Sequence, residues 1–357
     1  MPAQQGTFAV LHRNTRGYSM STRSTARTRY LTASLCLIAS LAFSGTALAQ
    51  TKIFKLASTM PATVHQVRIL EEMGREVKEK TGGSLEIQVF PASQLGGIRD
   101  FVEGMTMGTI EMAVSPIASL EVFGEPRFAL FALPYMFKDD DHISRFFHTE
   151  PAKAIFADFH KLTNIRTIGL INEGFRDVWS RKPVRSFTDL KGLKLRVPEI
   201  PLYIDMFTAL QVNATPLPIS DVYTSLQTGT IDGLEIPFQV VMDYQYFEVT
   251  KFRITTQHCG NPMAIIISDM AWESLSDEER AVLMDVIADA EKRAAAELAA
   301  LPEKYKDKFV EVGMETINLP EAEMDKIRAA VAPVRDAYVK KYASQELLDS
   351  IATCRDE

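Results

Sequence analysis

The stretch that decides the fold is residues 174–237, which read GFRDVWSRKPV (174–184), DLKGLKLRVPEI (189–200) and TPLPISDVYTSLQTGTIDGLEIP (215–237). It places Arg176 and Arg196 among apolar and turn residues instead of in a run of charges. Leu195 and Val197 flank Arg196 in a short strand, and these apolar residues must be buried against another part of the protein. A guanidinium in such surroundings needs a planar acceptor, and a carboxylate supplies one through two parallel hydrogen bonds. The two arginines therefore either converge on one cleft that binds a carboxylate or lie at strand ends on the surface.

The N-terminal region has the pattern of a secretory signal. Residues 1–49 contain five arginines and no acidic residue, followed by an apolar run at 31–43 and by Ala-Leu-Ala at 47–49. A basic region, a short apolar core and an A-x-A site are typical of a cleaved signal peptide. The run is shorter than the roughly 18 residues of a membrane helix, which disfavours the alternative of a retained anchor. We therefore expect export, with no membrane insertion, from a start at Met1 or at Met20.

The charge of the remaining chain narrows the class of partner. Without those five arginines, 34 basic residues face 46 acidic ones, which gives a net charge of −12. Such a balance disfavours nucleic acid, because nucleic-acid affinity depends on basic groups that neutralise phosphates. It allows a small anionic ligand, since two arginines can dominate a single pocket. We expect no nucleic-acid partner.

The apolar patterns predict an α/β fold. Residues 53–57, 85–89 and 112–114 form strands separated by helical patterns, a rhythm typical of a parallel sheet covered by helices. About 308 residues are more than one core usually holds, so the pattern favours two lobes. Ser276 begins a capping box, and an apolar face continues to residue 301, so residues 277–301 predict a helix of about 37 Å.

Six motifs in this order resemble the solute receptors of tripartite ATP-independent periplasmic (TRAP) transporters, the DctP-like family. They are the leader, TGGSLEIQVFPASQLGG (81–97), FALPYMF (131–137), KPVRSFTDLKGLKLRVP (182–198), TPLPISDVYTSLQTG (215–229) and DGLEIP (232–237). The resemblance implies a two-lobe periplasmic binding protein fold with hinge crossings and a long helix spanning both lobes. We place lobe I at residues 50–173 and about 262–301, and lobe II at residues 174–261 and about 302–357.

The resemblance also assigns roles to residues. It implies that Arg196 clamps the ligand's carboxylate, that Arg176 is the second basic residue of the pocket, and that Thr215 faces the ligand. It implies closure of the lobes on a small organic acid and delivery of that acid to TRAP permease subunits. Whether the receptor is a monomer or a dimer stays open.

One departure from the family pattern concerns specificity. Members often have Glu-Asn-Pro where this chain has Glu235-Ile236-Pro237, so Ile236 replaces a hydrogen-bonding amide with an apolar wall. Ser115 and Pro116 stand where receptors for sugar acids tend to have polar side chains. We therefore expect a ligand with an apolar or aromatic portion beyond its carboxylate.

Other polar residues have two readings each. His65 and Asn261 either face the cleft or lie outside it. Asp232 and Glu235 resemble a glycosidase pair, but we favour a turn cap for Asp232 and an arginine partner for Glu235. The Asp139-Asp140-Asp141-His142 run lacks the glycine of a calcium loop and favours a loop before a helix.

The main alternative function is an exported hydrolase that acts on a small carboxylate-bearing substrate. The chain has no H-E-x-x-H, C-x-x-C or G-x-S-x-G motif and no phosphate-binding glycine-lysine loop. No motif calls for a cofactor or a metal. We therefore predict a receptor that binds its ligand without turnover.

Overall fold

A mixed sheet of ten strands organises the protein, as a computed structural model that describes residues 51–356 shows. The predicted signal peptide lies outside the described residues. The strands are β1 (Lys52–Ser58), β2 (Leu85–Phe90), β3 (Met112–Pro116), β4 (Ile165–Ser180), β5 (Lys194–Val197), β6 (Asn213–Pro216), β7 (Gly233–Pro237), β8 (Phe252–Ile254), β9 (Gly260–Ser268) and β10 (Glu315–Ile317). The helices are α1 (His65–Lys80), α2 (Ile98–Met107), α3 (Asp140–Phe147), α4 (Glu150–Thr163), α5 (Pro201–Ala209), α6 (Val222–Thr228), α7 (Phe238–Asp243), α8 (Asp269–Ser274), α9 (Asp277–Lys304), α10 (Lys306–Glu311), α11 (Glu321–Tyr342) and α12 (Gln345–Asp356).

The sheet order is β2-β1-β3-β9-β4-β7-β5-β6, with β8 on β4 and β10 on β8. The predicted parallel arrangement of β1, β2 and β3 is confirmed. It does not extend across the sheet, because β9 is antiparallel to both β3 and β4. β5 is again parallel to β6 and β7.

Strand β4 connects the two halves of the sheet. Its first part pairs with β9 and its last five residues pair with β7. The apolar pattern predicts a strand at 165–171 that leaves for lobe II at 172–174; the predicted strand end was wrong, because β4 runs to Ser180. The strand continues through a register irregularity between Asn172 and Phe175, where Gly174 has φ +86°. Glycine tolerates this left-handed conformation, so β4 bends there without ending.

Helix α9 packs on α1 and on β4. The predicted capping box is confirmed: Ser276 Oγ accepts from Glu279 N at 3.1 Å, and Glu279 Oε2 accepts from Ser276 N at 2.8 Å. Glu279 also pairs with Lys52 of β1 at 2.5 Å. The predicted end at residue 301 was wrong, because Tyr305 N donates to Leu301 O at 3.0 Å and continues the last turn past Pro302.

The C-terminal helix α12 packs on α3 and α4. Ile351 O lies 2.7 Å from His142 Nε2, and Arg145 Nε donates to Cys354 O at 2.8 Å. These contacts attach residues 345–356 to a segment that we expected in lobe I. The lobe boundaries themselves stay a prediction.

Candidate functional site

A cavity of about 530 Å³ lies between the two halves of the sheet. Thr59 and Pro116 line it from the side of β1 and β3, and Arg196 and Ile236 line it from β5 and β7. Glu173, Arg176 and Asn261 line it from the connecting strands β4 and β9. This volume falls within the range of small-molecule sites, roughly 300–1,000 Å³.

Arg196 is a buried cation that has no anionic partner in the described part of the chain. Its neighbours in the strand, Leu195 and Val197, are both buried, and Arg196 itself is only 5 % exposed. Its Nε donates to Leu217 O at 2.8 Å, and no residue from 51 to 356 forms an ion pair with it. Burial lowers the pKa of Arg196 to about 10; Glu235 opposes this effect and Arg176 adds to it. The guanidinium therefore remains charged at neutral pH and faces the cavity without compensation.

Arg176 is also buried, but the protein neutralises it. Its Nε and Nη2 donate to the two carboxylate oxygens of Glu235 at 2.5 and 2.8 Å, and Nη2 also donates to Glu235 O at 2.9 Å. The guanidinium carbon lies 4.9 Å from the centre of the Tyr203 ring, a distance typical of cation–π contact. The prediction that Glu235 orients an arginine is confirmed.

His258 completes the network around Glu235. Its Nε2 lies 3.2 Å from Glu235 Oε2, and its Nδ1 lies 2.9 Å from Thr256 Oγ1. Burial alone would lower the pKa of His258, but Cys259 and Glu235 raise it to about 9. Burial alone would raise the pKa of Glu235, but Arg176 and the hydrogen bond with His258 lower it. Glu235 is therefore an anion that contacts two cations, Arg176 and His258, and its role is structural.

Asn261 links this network to a second buried carboxyl group. Its Oδ1 accepts from Arg176 Nη1 at 3.0 Å, and its Nδ2 donates to Glu173 Oε2 at 2.6 Å. Burial raises the pKa of Glu173 to about 7, although Arg176 and the bond from Asn261 oppose that change. Burial therefore favours the protonated form of Glu173 far more than that of an exposed glutamate.

The cavity brings together only part of the predicted site. Arg196, Arg176, Ile236, Pro116 and Asn261 all line it, whereas Ser115, Thr215 and His65 do not. Ser115 is buried with Oγ 3.3 Å from Pro116 O, and Thr215 Oγ1 donates to Asn213 O at 3.3 Å. His65 is buried, and its Nε2 has no hydrogen-bond partner among the described residues. Burial lowers the pKa of His65 to about 4. Ligand contact by any of the eight residues stays a prediction.

Sequence reasoning missed Glu173 and Tyr244 as cavity residues. Glu173 lies in the segment 172–174, where we expected the strand to end, so the sequence pattern did not indicate which way its side chain points. Tyr244 follows α7 and its hydroxyl donates to Thr59 O at 2.8 Å. That bond joins the two sides of the cavity through residues 185 positions apart, a proximity that no local pattern indicates.

The other charged candidates have local structural roles. Asp232 accepts from Lys194 N at 3.1 Å, and Asp139 Oδ1 accepts from His142 N at 2.8 Å and caps α3. Within the described residues, no group of three or more His, Cys, Asp or Glu side chains is placed to hold a metal ion. No helix in this part of the chain has both the length and the apolar content needed to cross a membrane.

Similar proteins identify the family. The profile of the bacterial extracellular solute-binding proteins of family 7 (DctP) matches residues 56–342. The 2,3-diketo-L-gulonate-binding periplasmic protein YiaO of Escherichia coli is 31 % identical over 74 % of this chain and 80 % of its own length.

Two crystal structures of TRAP periplasmic solute-binding proteins have the same fold. The protein of Haemophilus influenzae with bound L-gulonate has a TM-score of 0.80 at 27 % identity, over 85 % of this chain and 99 % of that one. The protein of Desulfovibrio salexigens with bound orotic acid has a TM-score of 0.79 at 25 % identity, over 85 % of this chain and 98 % of that one. The predicted α/β two-lobe periplasmic binding protein fold is confirmed. The chain therefore belongs to the DctP family of bacterial extracellular solute-binding proteins.

Proposed function

We propose that this protein is a periplasmic solute receptor that binds a small organic acid through its carboxylate and delivers it to a TRAP-type permease. The observation that carries the proposal is Arg196, a buried cation that lines the cavity with no anionic partner among residues 51–356. A buried charge without a partner is costly, and a ligand carboxylate would remove that cost with two charge-assisted hydrogen bonds. The relatives that hold L-gulonate and orotic acid support this chemistry.

The cavity walls suggest the character of the rest of the ligand. Ile236 and Val240 are buried on one side of the cavity, and Leu217, Ile200 and Phe123 extend the apolar surface. Burial of apolar ligand surface against such walls adds affinity that a fully hydroxylated ligand would not gain. The proposed ligand is therefore a monocarboxylate with an apolar or aromatic portion.

Closure of the two lobes completes binding in this scheme. The ligand first meets Arg196 on the side of β5, and the residues around Thr59 and Pro116 then close over it from the opposite side. Closure excludes water and strengthens the ion pair, and the ligand stabilises the closed form only through contacts that this form adds. The acid leaves unchanged, since the receptor carries out no chemistry on it. Residues 1–49 direct the chain to the periplasm.

The test is a binding study on Arg196 variants by isothermal titration calorimetry. The probes are 3-phenylpropanoate, gluconate and any acid found by mass spectrometry in the supernatant of the denatured protein. Arg196→Ala should lower the affinity for the acid that binds by about a hundredfold, because two charge-assisted hydrogen bonds are lost. Arg196→Lys should lower it by about tenfold, because an ammonium cannot bind a carboxylate in the same planar fashion.

The matched control is Arg99→Ala, which removes an exposed positive charge from the lining of the same cavity. Its affinity should stay within about threefold of the wild type, since exposed charges contribute little. Unchanged binding by Arg196→Ala, or conversion of the acid during incubation, would contradict the proposed function.

A further inference from the structure

A second polar group faces the same cavity and is only partly satisfied. The Glu173 side chain is 8 % exposed and lines the cavity beside the bend of β4. Its Oε2 accepts a hydrogen bond from Asn261, but no donor among residues 51–356 reaches its Oε1. The neighbouring cation, Arg176, donates to Glu235 and Asn261 and, within residues 51–356, makes no hydrogen bond to Glu173. Glu173 Oε1 is therefore a hydrogen-bonding atom of a nearly buried residue that, within the described chain, only water or a ligand can satisfy.

An unsatisfied group of this kind discriminates between ligands. When the cavity closes on a ligand, water is excluded and Glu173 Oε1 loses its solvent partner. A ligand that hydrogen-bonds to this oxygen avoids the penalty, whereas a ligand that is apolar at the same place leaves the group unpaired. Sites built to bind a substrate hydroxyl reject analogues without it by large factors for this reason.

We propose that Glu173 determines ligand specificity by binding a hydroxyl group, so that the cavity prefers hydroxy acids to acids without a hydroxyl. This inference rests on the proposed function, because Arg196 must hold the carboxylate for the hydroxyl to reach Glu173. It adds one polar requirement to a ligand whose remainder contacts the apolar walls around Ile236 and Val240. The ligand class is thus a monocarboxylate with an apolar body and at least one hydroxyl.

The protonation and surroundings of Glu173 favour a hydroxyl over an amino group. The pKa of Glu173 is raised to about 7 by burial, so both protonation states are populated near neutral pH. A hydroxyl can donate to the carboxylate and accept from the protonated acid, whereas an ammonium group can only donate. Arg196 lines the same cavity and, unlike Arg176, is not neutralised by a carboxylate in the described chain, so it repels a second positive charge.

The experiment compares four acids that share one skeleton: 3-phenylpropanoate, its 2-hydroxy and 3-hydroxy derivatives, and phenylalanine. Dissociation constants are measured by calorimetry at pH 7 for the wild type, Glu173→Met and Glu199→Met. In the wild type, the better hydroxy acid should bind at least tenfold more tightly than 3-phenylpropanoate and more tightly than phenylalanine. In Glu173→Met the ratio of the affinities for the hydroxy acid and for 3-phenylpropanoate should fall to about one. Methionine keeps the length of the side chain without its oxygens.

Glu199→Met is the matched control, since Glu199 lines the same cavity but is exposed, and its ratio should equal that of the wild type. If Glu173→Met does not fold, as judged by circular dichroism, Glu173→Gln takes its place and should lower the ratio at least threefold. Equal binding of all four acids, tighter binding of phenylalanine, or an unchanged ratio in the Glu173 variant overturns the role of Glu173 alone. If the wild type binds no acid of this set and none of the acids used to test Arg196, the proposed function fails as well.

Discussion

Arg176 and Arg196 line one cavity, are both almost completely buried, and stand 20 positions apart, yet the protein treats them in opposite ways. Arg176 makes a bidentate pair with Glu235, whereas Arg196 donates from Nε to Leu217 O and has no carboxylate partner in the described chain. A buried cation that is already neutralised supports the structure. One that is not neutralised is available to a ligand.

The difference follows from sheet register. Arg176 pairs with Pro237 and Val178 with Glu235, so Arg176 and Glu235 are diagonal neighbours on β4 and β7. Side chains at such positions point to the same face and can touch. Arg196 pairs with Leu234 on one side and Thr215 on the other, and neither side chain carries a charge. The arginine on β4 therefore has a structural role, whereas the arginine on β5 remains available to a ligand.

The largest expected effect comes from removing each arginine in turn and measuring stability without ligand. Arg176→Met should lower the free energy of unfolding by about 3 kcal/mol, because it leaves Glu235 buried with only His258 beside it. Arg196→Met is the matched substitution and should change that energy by less than about 1 kcal/mol, because no carboxylate loses a partner. Urea unfolding monitored by circular dichroism measures both. Equal losses in the two variants would remove the distinction between the arginines.

A smaller effect concerns the pH dependence that Glu173 gives to the unliganded protein. Its folded pKa of about 7 exceeds the ordinary value of 4.5, so the folded state binds more protons than the unfolded state between these values. Its contribution to stability is full below about pH 4.5 and is lost as the pH rises through 7. Glu173→Gln should therefore show a shallower fall in melting temperature from pH 5 to pH 8 than the wild type.

Glu199→Gln provides the control for that measurement, because it is the same substitution at an exposed position of the same cavity. Its melting temperatures should follow those of the wild type at every pH. A Glu173→Gln profile parallel to the wild type would show that Glu173 ionises as freely in the folded chain as in the unfolded one.

The smallest expected effect lies at Ile236, which forms part of the apolar wall near Arg196. Ile236→Asn should shift the ratio of affinities for gluconate and 3-phenylpropanoate about tenfold toward gluconate, since apolar contact is replaced by an amide. Ile53→Asn makes the same change at an exposed site outside the cavity and should leave the ratio unchanged. If the Ile236→Asn variant and the wild type give the same ratio of affinities, Ile236 does not determine specificity. Calorimetry with the two acids measures all three proteins.

Several features could be predicted because they depend on neighbours in sequence. The capping box at Ser276 and Glu279 joins residues three positions apart, and the buried face of α9 repeats with the helical period. The apolar neighbours of Arg196 indicated a buried strand, and β5 is such a strand. The motifs from residue 81 to residue 237 were enough to indicate the family.

What the sequence by itself determined is thus the set of local elements, the family and the presence of two arginines in apolar surroundings. Only the tertiary structure decided which arginine is neutralised, because Glu235 lies 59 positions from Arg176 and reaches it through strand pairing. It also decided that Glu173 faces the cavity, since the bend of β4 at Gly174 sets the direction of that side chain. Charge compensation depends on distance in space, and sequence spacing does not report that distance across a sheet.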